Sequence, residues 1–225
     1  MRLSLLNGYS DMRLWLRSGA MGAVERRDRK NIRALLLEAA AVEFGNKGFD
    51  GASTTAIARR ADAHQPQINY HFSTKLDLWR AVVDDLFGDL RIHLRVIADV
   101  TDPVEQFVLL IRRWVEFVSE RPQLHQILIH EATSASERLE WLIENYVRAN
   151  YESLAAHWLV LQRLGVAAPI DARLIHYVLV GASSLQFINS DEARLLLGAE
   201  PDDPALIEAH VAGLVAMLLP GRVVD

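Results

Sequence analysis

Apolar residues recur at helical spacing along nearly the whole chain. Leu37, Ala40, Ala41 and Phe44 follow the i, i+3, i+4, i+7 rule, and Lys47-Gly48 supplies a stop. Trp79, Val83, Leu86, Leu90, Leu94 and Ile97 form one stripe, which predicts a long helix over about 75–98. A second stripe, Val104, Phe107, Val108, Ile111, Val115 and Val118, follows Asp102-Pro103, a helix start with proline in its first turn. Arg121-Pro122 ends that helix and opens a short one to about 132. Further helices are predicted from Ser134 to Leu164, closed by Gly165, from Asp171 to about Asn189, and from Asp203 to Leu219. No sustained period-2 alternation and no Asn-Gly or Asp-Gly hairpin interrupts this pattern. The reading is all-α, about nine helices with short connectors.

Two short helical patterns stand apart, between Gly48 and Lys75. Ser53 is a natural N-cap, with Thr54 and Thr55 in the first turn and Ile57 and Ala58 as the inward face. Ala61-Asp62-Ala63-His64 makes a tight connector, and a second helix opens at Gln65-Pro66 and turns Ile68 and Phe72 inward. Its outward positions are Gln65, Gln67, Asn69, Tyr70 and His71, without one carboxylate. Glutamine and asparagine bond base edges, tyrosine and histidine reach phosphate oxygens, and a carboxylate would be repelled by the DNA backbone. Two short helices and a tight turn, the second polar and unacidic, suit a helix-turn-helix. On residues alone, an ordinary solvated helix face fits as well.

The last helix is apolar on two sides. Ile207, Val211, Leu214, Val215 and Leu218 form a face of large residues; Ala209, Ala212, Gly213 and Ala216 form one of small residues. Gly181, Ala182 and Leu185 give the preceding helix a similar close-approach surface. A symmetric helical bundle across a dimer axis would cover both, and so would burial in the chain's own core.

Composition narrows the picture further. The 225 residues are 51% hydrophobic and 24% charged, an ordinary globular balance. There is no cysteine, which excludes disulfides, thiol nucleophiles and thiolate zinc sites. No apolar run reaches the roughly 18–20 residues of a membrane span; Val211 to Leu219 is half that. The first 19 residues have scattered leucines, but Asp11, Arg13 and Arg17 break any signal-peptide core, so they read as an extension, with Met12 or Met21 as alternative starts. The net charge of −5 is unevenly spread: residues 1–80 carry 13 Lys/Arg against 8 Asp/Glu, and residues 81–225 carry 11 against 21. A basic N-terminal third on an acidic body suits a protein that touches phosphate at one end. Enzymatic motifs fail on inspection. His130-Glu131 starts a zinc-protease pattern, but Ser134 stands where its second histidine belongs, and Gly181-Ala182-Ser183-Ser184-Leu185 lacks the second glycine of a nucleophile elbow. No metal, cofactor or catalytic residue is expected.

Residues 30–80 resemble the TetR family of transcriptional regulators. The matching features are Ala39-Ala40, Phe44, Gly48-Phe49, Ser53, Ile57-Ala58 and the closing run Tyr70-His71-Phe72-Ser73-Thr74-Lys75. The sequence departs from the family pattern at Asp62, His64, Pro66 and Asn69, where the family more often has Gly, Ser, Gly and Tyr. The resemblance implies an N-terminal extension (1–24), a three-helix DNA-binding domain (25–74) and a helical effector-binding and dimerisation domain (75–225). It implies phosphate contacts from Ser53 and Thr55, base reading by Gln65, Gln67 and His64, and backbone clamps at Tyr70, His71 and Lys75, with Thr54 and Asn69 on the same DNA-binding surface. It further implies a cytoplasmic homodimer on a palindromic operator in double-stranded DNA, facing itself through Gly181, Ala182, Leu185, Ala209, Ala212, Gly213 and Ala216. A small-molecule effector would be held among Trp114, Phe117, His130, Glu131, Tyr146 and Tyr177, though aromatics at this spacing equally suit a core. Effector binding would tilt the long helix that begins at Lys75. Recognition helices about one DNA turn apart, ~34–36 Å, would then lose their register. An activator, an effector-independent DNA binder and a helical small-molecule carrier share most of these features.

Overall fold

The computed structural model describes residues 32–222, so the 1–24 extension and its alternative starts lie outside the described residues. Those residues form ten helices and no strand. In chain order they are α1 (Ile32–Gly51), α2 (Thr54–Arg60), α3 (Gln65–His71), α4 (Lys75–Leu94), α5 (Pro103–Glu120) and α6 (Gln123–Ala132). Next come α7, in three segments (Glu137–Leu142, Ile143–Val147 and Arg148–Arg163), α8 (Ile175–Ile188), α9 (Ser190–Leu197) and α10 (Pro204–Leu218). The all-α reading holds.

The helices form two compact units. One comprises residues 32–90 and 121–140. Its core gathers Leu36 and Phe44 of α1, Ile57 of α2, Ile68 of α3, and Trp79, Val83 and Leu86 of α4, all buried. α1 bends at Gly48, whose φ of 66° and ψ of 177° are not helical. The predicted stop is therefore a kink, followed by one further turn to Gly51. Glycine suits this φ, which L side chains rarely adopt, and α6 crosses α1 at this point. A Cβ on Gly48 would sit 3.2 Å from the His130 ring, and one on Gly45 would sit 2.6 Å from Gln126 Oε1. Arg121 closes the unit: its guanidinium donates to Glu38 of α1 at 2.8 and 2.9 Å and to Asp89 of α4 at 2.7 Å.

The other unit comprises residues 91–120 and 141–222. Phe107, Ile111 and Val115 of α5, Trp158 and Leu161 of α7, Leu179 and Phe187 of α8 and Leu214 and Leu218 of α10 make its core. Asp102 Oδ1 accepts from the N–H groups of Val104 and Glu105 at 2.9 Å, so α5 starts where the Asp102-Pro103 pair predicts. Asp203 caps α10 in the same manner. Two indole N–H groups find acceptors inside the unit: Trp158 Nε1 donates to Ile170 O at 3.0 Å and Trp114 Nε1 donates to Ser183 Oγ at 2.8 Å.

Some boundaries differ from the expectation. The helix predicted from Ser134 begins only at Glu137, because Ser134 Oγ bonds back to His130 and Glu131 carbonyls and Ser136 Oγ accepts from Leu139 N. α4 ends at Leu94 and tightens into a 3₁₀ turn, Arg95–Asp99. α8 starts at Ile175 rather than Asp171, whose carboxylate instead accepts from the Arg173 backbone N–H at 2.9 Å in a turn. α9 had no counterpart in the pattern. Its Leu195, Leu196 and Leu197 are exposed and Ala193 is its buried residue, so its leucines do not mark an inward face.

Candidate nucleic-acid interface

The loop after α1 is tied down before α2 begins. Glu43, buried, accepts from Lys47 Nζ at 2.8 Å and from Ser53 N at 3.4 Å. The hydrogen bond from Lys47 holds this carboxylate below its usual range against the opposing effect of burial. Ser53 then caps α2, its Oγ accepting from Ala56 N at 3.4 Å. Ile57, Ala58 and Ala61 turn inward, leaving Ser53, Thr55, Arg59 and Arg60 exposed and Thr54 half-buried.

Asp62 makes the turn between α2 and α3. Its φ of 50° makes it the one left-handed non-glycine residue among those described, the conformation expected where the family pattern has glycine. The chain then enters α3 at His64, which caps with its backbone, and Pro66 sits in the first turn. Gln67 reaches back, its Oε1 accepting from the His64 N–H at 2.8 Å. Gln65 Nε2 donates to Thr54 Oγ1 at 3.2 Å, linking the first turns of the two helices. Ile68 and Phe72 are buried, which orients α3.

This orientation sends the polar side chains outward. His64, Asn69 and Tyr70 are exposed, Tyr70 at 85%, and Gln65, Gln67 and His71 are half-buried. Between Ser53 and Lys75 the only carboxylate is Asp62, at the turn. Thr74 caps α4: its Oγ1 accepts from Asp77 N at 3.0 Å. Lys75 is therefore the first residue of that helix. Its Nζ lies 4.8 Å from the Phe49 ring centroid and donates to Asp50 O at 3.4 Å. All ten residues selected from the sequence thus fall on one segment, 53–75, with their side chains at least partly solvent-accessible. Arg59 and Arg60 were not among them, although two adjacent basic residues beyond the inward Ile57-Ala58 pair were a readable signal.

The six residues chosen for an effector divide between the units. His130 and Glu131 belong with the helix-turn-helix; Trp114, Phe117, Tyr146 and Tyr177 belong to the other unit. His130 Nε2 is 3.0 Å from Gly45 O. Glu131, buried, accepts from Arg138 Nε at 3.0 Å and from Ser136 Oγ at 2.9 Å. Phe117 is buried beside His93, Tyr146 stacks edge-on with Trp141, and Tyr177 is 69% exposed. Of the residues selected for self-association, Gly181, Ala182 and Leu185 on α8 and Ala209, Ala212, Gly213 and Ala216 on α10 are all exposed. Among the described residues no helix is long and apolar enough to cross a membrane.

Residues 36–82 match the model of the bacterial regulatory proteins, tetR family. The chain is similar to the HTH-type transcriptional activator FasR of Mycolicibacterium smegmatis, 31% identical over 107 residues, 46% of this chain and 48% of that one. It is similar also to "Probable HTH-type transcriptional regulator YttP" of Bacillus subtilis, 25% identical over 115 residues, 50% of this chain and 56% of that one. The chain thus spans about half the length of the curated relatives it matches. Among solved structures, that of AibR in complex with isovaleryl coenzyme A and operator DNA superposes with a TM-score of 0.66 at 22% identity, covering 84% of this chain and 98% of that one.

Proposed function

We propose that this chain, which carries the helix-turn-helix of the tetR family, is a DNA-binding transcriptional regulator: a cytoplasmic homodimer that represses from a palindromic operator and is released by a small molecule. The observation carrying the proposal is the outward surface of α3. It offers amide, phenol and imidazole groups and no carboxylate, and it is flanked in sequence by the hydroxyls of Ser53 and Thr55 before it and the ammonium of Lys75 after it. Hydroxyls, ammonium and guanidinium groups fix the register on phosphates, while the α3 amides read base edges in the major groove. Sequence-independent contacts of this kind supply affinity, and it falls with salt as counterions are released.

Self-association is supported by the small-residue surfaces of α8 and α10. A Cβ added at Gly181 or Gly213 would meet nothing within 4 Å, so nothing in this chain requires glycine there. A second copy packed closely against those helices would account for it. The effector class follows the relatives. AibR was solved in complex with isovaleryl coenzyme A and operator DNA, so an acyl thioester is the first class to try, and of the six effector residues Trp114, Phe117, Tyr146 and Tyr177, which share one unit, are the ones to watch. Release would follow when the ligand favours, by a few kcal/mol, a state in which α4 moves and the paired recognition helices leave their DNA spacing. The name of FasR favours a second reading, activation in place of repression.

The test is selection of bound duplexes from sheared genomic DNA by the full-length protein, followed by a reporter carrying the selected site. Enrichment of a palindrome and a raised reporter signal on deleting the regulator are expected. Failure to enrich any site would refute DNA regulation, and a signal that falls on deletion would assign activation.

A further inference from the structure

The residues that hold Lys75 come from a distant part of the chain. Phe49, in the turn after the Gly48 kink, stacks on Phe44 at a centroid distance of 6.1 Å and meets the edge of Trp79 at 6.3 Å. Two cations approach its ring: Lys75 Nζ at 4.8 Å and Arg138 Cζ at 4.1 Å. Arg138 is fixed from behind. Its Nε donates to both Glu131 oxygens, at 3.0 and 3.1 Å, and its terminal nitrogen lies 3.7 Å from Asp50 Oδ2. Glu131 is 2% exposed, so this ion pair is shielded from water on the carboxylate side. Lys75 Nζ donates to the carbonyl of the same Asp50. His130, next to Glu131 in the chain, packs on Gly48 and lies within hydrogen-bond distance of Gly45 O.

We infer that Arg138, held by Glu131, is a positioning residue for DNA binding, which fixes Phe49 and Asp50 and through them the ammonium group of Lys75. This rests on the reading of Lys75 as a phosphate clamp. It assigns His130 and Glu131 to holding the α1–α2 corner, a task separate from contact with an effector. A side chain 63 positions away from Lys75, outside the helix-turn-helix sequence, thereby sets how firmly the protein grips the DNA backbone.

The test has a DNA-independent arm and a DNA-binding arm. The chain has three lysines, Lys30, Lys47 and Lys75, so ¹³C-dimethylation of the full-length protein gives three side-chain signals. The Lys75 signal should be shifted upfield by the Phe49 ring. Arg138→Met keeps the stem but removes the charge, and it should move the Lys75 signal while leaving that of Lys47 in place. In the second arm, binding to a random-sequence duplex is followed against salt. Arg138→Met should lower affinity several-fold and flatten the salt slope as Lys75→Ala does, with the double variant no weaker than Lys75→Ala alone. Phe49→Leu, which keeps apolar volume without the ring's charge distribution, should reproduce both effects if Arg138→Met folds poorly. An unmoved Lys75 signal overturns the inference whatever the protein does with DNA. A moved signal with wild-type affinity and slope, or with additive losses, overturns it as well. Failure of the wild type to bind any duplex would instead remove the regulator reading and, with it, the DNA role assigned to Arg138.

Discussion

The side-chain oxygen of Gln67 accepts a hydrogen bond from the backbone N–H of His64 at 2.8 Å, closing the start of the helix proposed to enter DNA. One oxygen is thereby committed to the fold, and the Nε2 donors of the same amide stay available for a base or phosphate acceptor. Gln67→Glu separates the two roles. A glutamate keeps the bond to His64, since that position of a capping box accepts either residue. It also places a carboxylate on the one surface that has none. Unchanged or slightly raised thermal stability with at least a hundredfold loss of duplex affinity is expected. Calorimetry and a gel shift check it, and equal binding by the variant would contradict the groove assignment. Gln67→Ala, by contrast, should lose about 0.5–1 kcal/mol of stability and relax sequence preference.

Asp62 offers a test of the turn. At φ 50° an L-residue is strained by about 1–2 kcal/mol, less for aspartate than for most. Glycine removes the strain but adds unfolded-state entropy. Asp62→Gly is therefore expected to stabilise by up to about 1 kcal/mol, and Asp62→Val to destabilise by a similar amount or more. Urea midpoints of the two variants, moving in opposite directions, would bear this out. The removed carboxylate should also raise affinity for duplex DNA modestly at low salt.

How much was legible in advance follows from the type of signal. Helical stripes such as Trp79–Ile97 announce themselves because one face is buried, and each of those residues is in the core. Ser53 as a cap and Asp102-Pro103 as a helix start were readable because the chemistry is local, and the left-handed turn at Asp62 was legible through the family pattern, which has glycine there. Where Ser134 bonds backward, or where Glu131 meets Arg138, the deciding partner lies outside any periodic pattern. The family resemblance is what implied an effector role for His130 and Glu131. Their partners in the fold, Gly45, Ser136 and Arg138, could not be read from spacing.

The exposed small-residue face of α10 predicts an oligomeric defect. Ala212→Glu adds a charge at a position exposed in the single chain, so the fold should tolerate it within about 0.5 kcal/mol. In a close-packed dimer the same charge would be buried without a partner and should weaken association by a hundredfold or more. Sedimentation velocity at several concentrations distinguishes the outcomes. A variant that associates like wild type would place the dimer contact elsewhere.

His157 gives the pH dependence its sign. The side chain is fully buried, its ring 5.4 Å edge-on from Phe107 and its Nε2 2.8 Å from the Pro103 carbonyl. Burial pushes its pKa below the ordinary histidine value, and the bond to Pro103 offsets only part of that. Burial pushes His176 and His210 the same way. As pH falls below about 6.5 the unfolded chain takes up protons that the folded chain refuses, so stability must fall with acidification and level off only below the folded-state value. Above neutrality these histidines contribute no slope. His157→Phe keeps an aromatic ring against Phe107 and removes one titrating group, at a pH-independent cost of about 1 kcal/mol for the lost hydrogen bond. Urea midpoints at pH 7.5 and pH 5 should therefore converge, with wild type losing more stability on acidification than the variant. Carboxylates titrate alike in both proteins, so the difference isolates His157, and parallel pH profiles would mean that the imidazole is protonated as readily in the fold as in the unfolded chain.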